Sequence, residues 1–269
     1  MREKSEKPYY GFSAVLYITY ALMGVGIIAI VIAVFLTLSA YPTWTLILCW
    51  VLGAILLMAG ILWHLFMGFS ANIRKIELLR RDFLEHLEKI WDGKGKALDI
   101  GTGSGRIAIE IARHFPEAQV IGMDLWSKGW RFFGVSKAQA EANAGIENVS
   151  GRCVFQQGNA LDMPFEDGEF QLVVSSFVFH EIGISDRTEL FREAIRVLAP
   201  GGIFMILDTF NSLNRAYKTR NISELLEKIG RLDTEDVKHR SLEEAGVRLG
   251  GMANFWRIAY ISGRKAENG

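Results

Sequence analysis

The sequence has few cysteines, little proline and no surplus of charge of either sign. Its 269 residues include two cysteines and five prolines, and 30 Lys and Arg balance 30 Asp and Glu. Two isolated cysteines, Cys49 and Cys153, exclude a disulfide framework and a thiolate metal cluster, and no other spacing predicts a metal site. The sequence also lacks the basic surplus of many nucleic-acid-binding proteins, so we expect no nucleic-acid partner.

The longest stretch without a charged side chain lies near the N-terminus. No Asp, Glu, Lys or Arg stands between positions 7 and 74. A bilayer is crossed by about 20 residues of apolar helix, so this stretch is long enough for two spans. Pro42 and its small polar neighbours interrupt it, which predicts helices near Ala14 to Leu38 and Thr43 to Phe69. We interpret residues 1–70 as a transmembrane hairpin that places the protein in a lipid bilayer.

Basic residues flank this stretch on both sides and are absent from its tip. They are Arg2, Lys4 and Lys7 before the first helix and Arg74, Lys75, Arg80 and Arg81 after the second. The positive-inside rule then predicts a two-span protein of the cell membrane whose N-terminus and C-terminal domain are cytoplasmic. Two alternatives stay open: a cleaved signal peptide ending near Ala40, and a buried helical hairpin of a soluble domain.

Residues 71–93 have the pattern of an amphipathic helix. Apolar side chains recur at helical spacing, and the basic residues lie in the first half of the segment. The apolar set is Ile73, Ile76, Phe83, Leu84, Leu87, Ile90 and Trp91. One interpretation is a helix at the headgroup level that caps the cleft of the following domain. The other is an ordinary helix packed on that domain.

From position 94 onward, predicted strands alternate with helices, beginning with a strand, a glycine turn and a helix. The strand Lys96 to Ile100 leads into the turn at 101–105, and a helix follows from Arg106. Glycines permit positive φ and let a ligand approach the main chain closely. A dinucleotide GxGxxG motif is excluded because Arg106 stands at the position of its last glycine. Asp99, just before the turn, would repel a pyrophosphate and favours a cationic ligand.

Four further strands are predicted, and polar residues stand at their carboxyl ends, where open α/β sheets bind ligands. The strands are Gln119 to Met123, Cys153 to Gln157, Phe170 to Ser176 and Ile203 to Leu207. Asp124 follows the first of these, at a position where a carboxylate can accept from both hydroxyls of a ribose. Asn159 follows the second, where its side chain can accept from an adenine amine.

In this order the blocks resemble the class I, Rossmann-like S-adenosylmethionine-dependent methyltransferases, in particular the small-molecule branch with the ubiquinone and menaquinone biosynthesis enzymes. The motifs are LDIGTGSG, IGMD, GNALDMPFEDGEFQLVVS and REAIRVLAPGG, within about 97–263. The resemblance implies that residues 94–269 form an α/β domain with a doubly wound, mostly parallel sheet of seven strands. Its last strand would be antiparallel, and Phe255 to Ser262 is the candidate.

The resemblance also implies S-adenosylmethionine as the cofactor and assigns its contacts. Asp99, Gly101 and Gly103 would contact the methionine portion, Asp124 the ribose, and Asn159 with Ala160 the adenine. Thr102, Gly105, Leu125 and Ser175 complete the predicted cofactor-binding set. At two positions the sequence departs from the family pattern, because Asn159 and Gln171 replace the commoner Asp. Asn159 keeps an acceptor oxygen, and we expect Gln171 to be structural.

Methyl transfer from a sulfonium requires an aligned nucleophile, exclusion of water and, for some acceptors, a base. Three candidates follow the fourth and fifth strands: His180, Glu181 and Asp208. His180 is the first choice because an unperturbed histidine has a pKa near 6.5. It can equally be a packing residue, and a carbon or amine nucleophile can react without a dedicated base. The aromatic segment Leu125 to Phe133 either walls an apolar substrate pocket or packs a helix onto the sheet.

The sequence therefore predicts an enzyme, a membrane-anchored methyltransferase of a lipid, quinone or other lipophilic small molecule at the cytoplasmic face. One alternative is a methyltransferase of a soluble molecule, in which the hairpin serves localisation or homodimerisation. Gly24, Gly26, Gly53 and Gly60 would permit the close helix contact that a homodimer needs. The other alternative is a noncatalytic, membrane-bound scaffold that only binds S-adenosylmethionine.

Overall fold

The computed structural model describes residues 7–10, 13–39, 42–70, 73–127, 134–247 and 256–267. The chain divides into two compact units. One is a helical hairpin, which the chain enters after Tyr10 and leaves after Ile76. The other is an α/β domain that includes residues 7–10 and the chain from Glu77 onward. The first turn of the linking helix thus belongs with the hairpin and the remainder of it with the α/β domain.

The hairpin consists of helices α1 (Ser13–Leu38) and α2 (Thr43–Ser70), as the hydropathy pattern predicts. Pro42 precedes α2, and its carbonyl accepts from the N–H of Thr45 at 3.0 Å. Two stretches, Tyr20–Thr37 and Thr43–Leu62, have mean hydropathies of 2.5 and 2.6, and 11% and 12% of them is buried. By length and composition, both helices can cross a membrane.

Three glycines of the hairpin are used where α1 and α2 touch each other. A Cβ atom on Gly26 would lie 2.8 Å from the backbone nitrogen of Leu57. Added Cβ atoms on Gly53 and Gly60 would meet the opposing helix at 2.8 and 2.7 Å, whereas one on Gly24 would meet nothing within 4 Å. Three of the four glycines thus permit close contact between the two helices of one hairpin, and contact between two copies stays a prediction.

The α/β domain contains a seven-stranded sheet with the strand order β3-β2-β1-β4-β5-β7-β6. The strands are β1 (Gly95–Ile100), β2 (Ala118–Asp124), β3 (Cys153–Gln157), β4 (Phe170–Ser176), β5 (Leu198–Thr209), β6 (Thr234–Ser241) and β7 (Ile258–Lys265). Of these described strands, β7 alone runs in the opposite direction to the others, and it is antiparallel to both β5 and β6. The predicted seven strands and antiparallel last strand are confirmed, although β7 begins at Ile258 and not at Phe255, which lies outside the described residues.

Helices join these strands and cover the sheet. They are α3 (Ile73–Ile90), α4 (Arg106–His114), α5 (Lys137–Ile146), α6 (Thr188–Arg196), α7 (Leu213–Tyr217) and α8 (Ile222–Gly230). A large apolar cluster lies between α6 to α8 and the strands β1, β4 and β5, and includes Leu98, Phe191 and Phe204. Burial of such side chains supplies about 1.5 to 3 kcal/mol each. The sheet is thus a rigid frame for the turns at its carboxyl edge.

Helix α3 packs on the α/β domain. Phe83, Leu84 and Leu87 on its apolar face are buried, and Trp91 just after it is buried too. The half-buried Arg80 donates to Glu110 of α4 at 2.7 Å and also pairs with Glu77. Of the two interpretations of this segment, the packed helix is therefore observed. Arg80, counted above among the basic flanking residues, is held by two carboxylates.

Candidate active site

The glycine turn connects β1 to α4 and is held by main-chain hydrogen bonds to β2. The N–H groups of Gly101 and Thr102 donate to the carbonyl of Met123 at 2.7 and 3.0 Å, and Gly105 N–H donates to the Thr102 carbonyl. Gly103 has φ 57°, and a Cβ added there would meet only Val135, at 3.6 Å. The main chain at Gly103 is therefore open to a ligand. Gly105, by contrast, is buried against Phe155.

Asp99 lies under this turn and is 1% exposed. Its carboxylate accepts from the N–H of Ala108 at 3.1 Å, which ties the first turn of α4 to β1. Burial raises the pKa of Asp99 to about 7, the charge of Asp124 adds to the rise, and the hydrogen bond from Ala108 N–H opposes it. A cation placed above the turn would favour the ionised form of this acid.

Asp124 ends β2 beside the turn. One carboxylate oxygen accepts from Gly103 N–H at 2.9 Å and the other from Trp126 N–H at 2.8 Å. Each oxygen keeps a further lone pair, so the half-buried carboxylate can still accept from two ribose hydroxyls. Trp126 folds back over the turn, where its indole N–H donates to the Gly103 carbonyl at 2.8 Å.

The predicted adenine residues lie at the ends of β2 and β3, which hydrogen bonds hold together. Gly158 N–H donates to the Asp124 carbonyl at 3.1 Å, and the Gln157 side chain donates to the Leu125 carbonyl. Leu125 is 56% exposed, and Asn159 is exposed beside the half-buried Ala160. The Asn159 side-chain oxygen accepts from Leu161 N–H at 3.1 Å. This hydrogen bond fixes the side-chain amide at the carboxyl edge of the sheet.

Two of the predicted residues link strands. Ser175 is fully buried, and its hydroxyl donates to the Ile100 carbonyl at 2.9 Å, which joins the ends of β4 and β1. In this conformation Ser175 supports the glycine turn from behind and exposes no surface to a ligand. Gln171, expected to be structural, accepts from Lys96 N–H at 2.7 Å through its side-chain oxygen and so joins the beginnings of the same two strands.

The three candidates for acid-base chemistry come together after β4 and β5. A short 3₁₀ turn, Phe179–Glu181, carries His180, whose Nδ1 lies 2.6 Å from an oxygen of the fully buried Asp208. The His180 N–H donates to the other oxygen of Asp208 at 3.2 Å. Glu181 stands on the far side of the imidazole, 4.0 Å from Nε2. The sequence presented these residues as alternatives, and the fold makes them one group.

The environment of this group raises the pKa values of His180 and Glu181. Burial lowers the pKa of His180, but the hydrogen bond and charge of Asp208, together with the charge of Glu181, outweigh burial and raise that pKa above its ordinary value. Burial raises the pKa of Glu181, against the attraction of His180. With Nδ1 donating to Asp208, the lone pair of Nε2 is available to accept a proton.

The segment after β4 joins the histidine group to the glycine turn. A Cβ on Gly101 would lie 2.2 Å from a methyl carbon of Val178, so this glycine lets the segment pack on the turn. Phe177, one residue earlier, has φ 57°, a left-handed conformation that is costly for a bulky side chain. Such strain is found at sites that the surrounding structure holds in place. His180 is thus carried by a segment that touches the predicted cofactor turn.

Sequence patterns missed several residues that shape the site. Val178 and Arg187 are examples; the Arg187 guanidinium donates to the carbonyls of His180 and Ile182 on either side of Glu181. Arg187 follows Asp186 in a polar loop, and only the fold brings it beneath the 3₁₀ turn. Residues 128–133 of the predicted aromatic wall lie outside the described residues. The expectation that the site uses no metal stays a prediction.

Residues 98–206 match the family profile described as a methyltransferase domain. The chain is 33% identical over 115 residues to the demethylmenaquinone methyltransferase of Roseiflexus castenholzii, a match that covers 42% of each chain. It is 37% identical over 126 residues to the mitochondrial 2-methoxy-6-polyprenyl-1,4-benzoquinol methylase of Caenorhabditis elegans, covering 46% of this chain and 40% of that one. The matched segment thus spans less than half the length of these two curated relatives.

Among solved structures, the fold is similar to that of geranyl diphosphate C-methyltransferase from Streptomyces coelicolor, determined with Mg²⁺, geranyl diphosphate and S-adenosyl-L-homocysteine. The TM-score is 0.52 with 16% sequence identity, and the match covers 68% of this chain and 78% of that one. At this identity the likeness establishes the fold. Residues 98–206 therefore match a methyltransferase domain, and the likeness of the fold to a solved methyltransferase agrees with that match.

Proposed function

We propose that the protein is a membrane-anchored methyltransferase that transfers the methyl group of S-adenosylmethionine to a lipophilic small molecule at the cytoplasmic face of the membrane. The observation that carries the catalytic part is the pairing of His180 with the buried Asp208, on a segment that touches the glycine turn. The two exposed apolar helices that precede the domain carry the membrane part.

The charges of the site support a cationic cofactor. The charge of Asp124 opposes ionisation of Asp99, and the charges of Asp208 and Asp124 oppose ionisation of Glu181. A sulfonium and an α-ammonium above the turn would offset this repulsion. When bound, S-adenosylmethionine supplies an electrophilic methyl group on sulfur. The open main chain at Gly103 and the Asp124 carboxylate would hold its methionine and ribose portions.

His180 would act on the acceptor. An electron pair of the acceptor would form the new bond to the methyl group that bound S-adenosylmethionine supplies, with S-adenosylhomocysteine as the leaving group. An acceptor hydroxyl or activated carbon then loses a proton, which Nε2 of His180 takes up. Asp208 keeps the imidazole in the required tautomer and stabilises the imidazolium that forms. General-base catalysis of this kind accelerates a reaction by a factor of about 10² to 10⁴.

A lipophilic acceptor is favoured by the anchor and by the named activities of the relatives. A hairpin in the bilayer would hold the site near substrates dissolved there and so raise their effective concentration. Of the relatives described above, one is named for a polyprenyl benzoquinol and the other for demethylmenaquinone. Both names denote lipid-soluble ring compounds, and we extend this chemical class to the present chain.

The test uses full-length protein in nanodiscs with methyl-labelled S-adenosylmethionine. A membrane-lipid extract and an aqueous metabolite pool are offered in separate reactions. We expect label in the organic phase only, and mass spectrometry then identifies the product. Asp124→Ala should abolish transfer, whereas Glu117→Gln, which changes an exposed acid before β2, should leave it unchanged.

The other outcomes are equally informative. Label confined to aqueous products would contradict the lipophilic acceptor and reduce the hairpin to a tether. Cofactor binding without transfer to either pool would favour the scaffold alternative. A second protein preparation with His180→Gln separates these cases from a loss of cofactor binding, because that variant should bind S-adenosylhomocysteine normally while its turnover falls.

A further inference from the structure

Residues 7–10 belong to the α/β domain although the hairpin separates them from it in the sequence. We refer to this segment, Lys7 to Tyr10, as the N-terminal strap. The main chain of Tyr9 forms two hydrogen bonds with the side chain of Asn143 on α5. Tyr9 N–H donates to Asn143 Oδ1 at 2.9 Å, and Asn143 Nδ2 donates to the Tyr9 carbonyl at 2.7 Å. This is the pairing of a peptide group with an amide, as in a sheet.

Asn143 also reaches the glycine turn. Its Nδ2 donates to the Ser104 carbonyl at 2.9 Å, between the two glycines at 103 and 105. The side chain is fully buried, and Gln139 donates to its oxygen at 3.0 Å. The amide thus has two donors and two acceptor sites in use, which is its full capacity. If the strap left, a buried donor and acceptor of Asn143 would lose partners, and such losses are costly.

The strap contacts the other side of the turn through Tyr10. The ring of Tyr10 lies under the guanidinium of Arg106, with 4.2 Å between the guanidinium carbon and the ring centroid. Arg106 is the first residue of α4, directly after Gly105. A cation at a helix N-terminus is unfavourable because it meets the positive end of the helix dipole. The face of an aromatic ring offsets that effect.

We propose that the N-terminal strap holds the glycine turn in its cofactor-binding shape, with Asn143 as the positioning residue, so that cofactor affinity depends on the docked strap. The strap then holds Ser104 and Arg106, the two neighbours of Gly105 in the sequence. It lies just before the first apolar helix. The inference rests on the assignment of S-adenosylmethionine to the turn and is independent of the methyl acceptor. The N-terminal strap would then contribute to cofactor binding.

The experiment measures binding of S-adenosylhomocysteine to full-length protein in detergent by isothermal titration calorimetry. Tyr9→Pro removes the N–H that donates to Asn143, and Asn143→Ala removes the link itself. We expect each change to raise the dissociation constant by at least about tenfold. Glu141→Gln changes an exposed residue of the same helix and should bind as the unaltered protein does.

Two further readouts separate positioning from general destabilisation. At saturating cofactor, the turnover number and the acceptor KM should stay within about twofold, whereas the cofactor KM rises with the dissociation constant. The ligand-free unfolding midpoint of Tyr9→Pro should fall by no more than a few degrees. A dissociation constant within twofold of the unaltered value in folded Tyr9→Pro would overturn the proposal, even if Asn143→Ala fails to fold. Absence of binding by the unaltered protein would overturn the cofactor assignment and this proposal together.

Discussion

Asp99 is almost completely buried, and burial raises the pKa of its carboxyl group to about 7. Because its pKa is higher in the folded than in the unfolded chain, its contribution to stability is present at acidic pH. That contribution is lost as pH rises through about 7, where the buried acid must ionise. The ionised form is the one that a cationic cofactor requires. At this residue, stability of the ligand-free protein and cofactor binding are therefore opposed.

The first prediction follows from this opposition. Asp99→Asn keeps an acceptor for Ala108 N–H and removes the ionisation, so we expect it to stabilise the ligand-free protein at pH 8 by about 2 kcal/mol. At pH 4.5 the difference should be small. The same change should weaken S-adenosylhomocysteine binding at least about tenfold. Chemical unfolding at the two pH values and calorimetry check both parts.

A gain in stability that is equal at both pH values would contradict the ionisation argument. Thr102→Val is a suitable companion variant, because it removes a buried hydroxyl near Asp99 that favours the ionised form of this acid. It should raise the pKa of Asp99 further and move the loss of stability to higher pH.

The second prediction concerns His180 as a base. Nε2 must be unprotonated to accept a proton, so kcat/KM should rise with pH through the raised pKa of His180 and level off above it. His180→Gln should reduce kcat about 100-fold and remove this rising limb. Asp208→Asn removes the charge that raises the pKa, so the limb should move to lower pH. Initial rates between pH 5.5 and 9 provide the profile.

The control for this series is Glu189→Gln, an exposed acid on α6 that pairs with Arg192. Its profile should match that of the unaltered protein. If His180→Gln keeps the same rising limb and rate, the acceptor reacts without this base, and the pair of His180 and Asp208 is structural.

Much of the site could be predicted from local sequence, because a motif fixes residues that are close along the chain. Asp99, Gly103 and Asp124 lie together at the carboxyl edge, as the strand and turn pattern indicated. The pairing of His180 with Asp208 could not be predicted, since 28 positions separate them and the register of β4 against β5 brings them together. Asn143 gave no signal, because a polar residue within a helix usually faces solvent.

At the scale of elements, the strands predicted from apolar runs are β1 to β5, of which β3 lies at one edge of the sheet. β6 was missed because its sequence, TEDVKHRS, is almost entirely polar and carries no period-two pattern of apolar residues. It lies at the edge of the sheet and pairs only with β7 among the described strands. Charged edge strands of this kind discourage pairing with other chains. Its position depends on pairing with β7, which a local pattern does not encode.

The third prediction compares two glycines of α1. A methyl group at Gly26 would meet the backbone of α2, which cannot move aside, whereas one at Gly24 meets open space. Gly26→Ala should therefore destabilise the hairpin by about 1 to 3 kcal/mol, and Gly24→Ala should be neutral. Both variants replace a glycine of the same helix with alanine. Any effect of the change in hydropathy on insertion into a membrane should therefore be the same for the two. Thermal unfolding in detergent, followed by circular dichroism, gives the comparison.

Equal effects of the two changes would mean that the helices do not pack through Gly26. If Gly24→Ala alone altered the molecular mass in detergent, the open glycine would mark contact between two copies, as homodimerisation requires.

At the scale of the whole molecule, the chain leaves the α/β domain at Tyr10 and returns to it at Glu77. In the membrane-anchored protein proposed above, two spans would return the chain to the side from which it started. The positive-inside rule predicts that this side is the cytoplasm, because basic residues precede and follow the hairpin. Cleavage of a signal peptide near Ala40 would remove the N-terminal strap. A docked strap therefore requires the uncleaved chain.

The fourth prediction tests this arrangement with single cysteines in a chain carrying Cys49→Ala and Cys153→Ala. Ser39→Cys, near the tip, should react with a membrane-impermeant maleimide in intact cells. Glu141→Cys, on the exposed face of α5, should react only after lysis. The mass of the labelled protein should include residues 1–40. Reaction of Glu141→Cys in intact cells would reverse the orientation and remove the cytoplasmic supply of S-adenosylmethionine, and a chain lacking residues 1–40 would contradict both the hairpin and the docked strap.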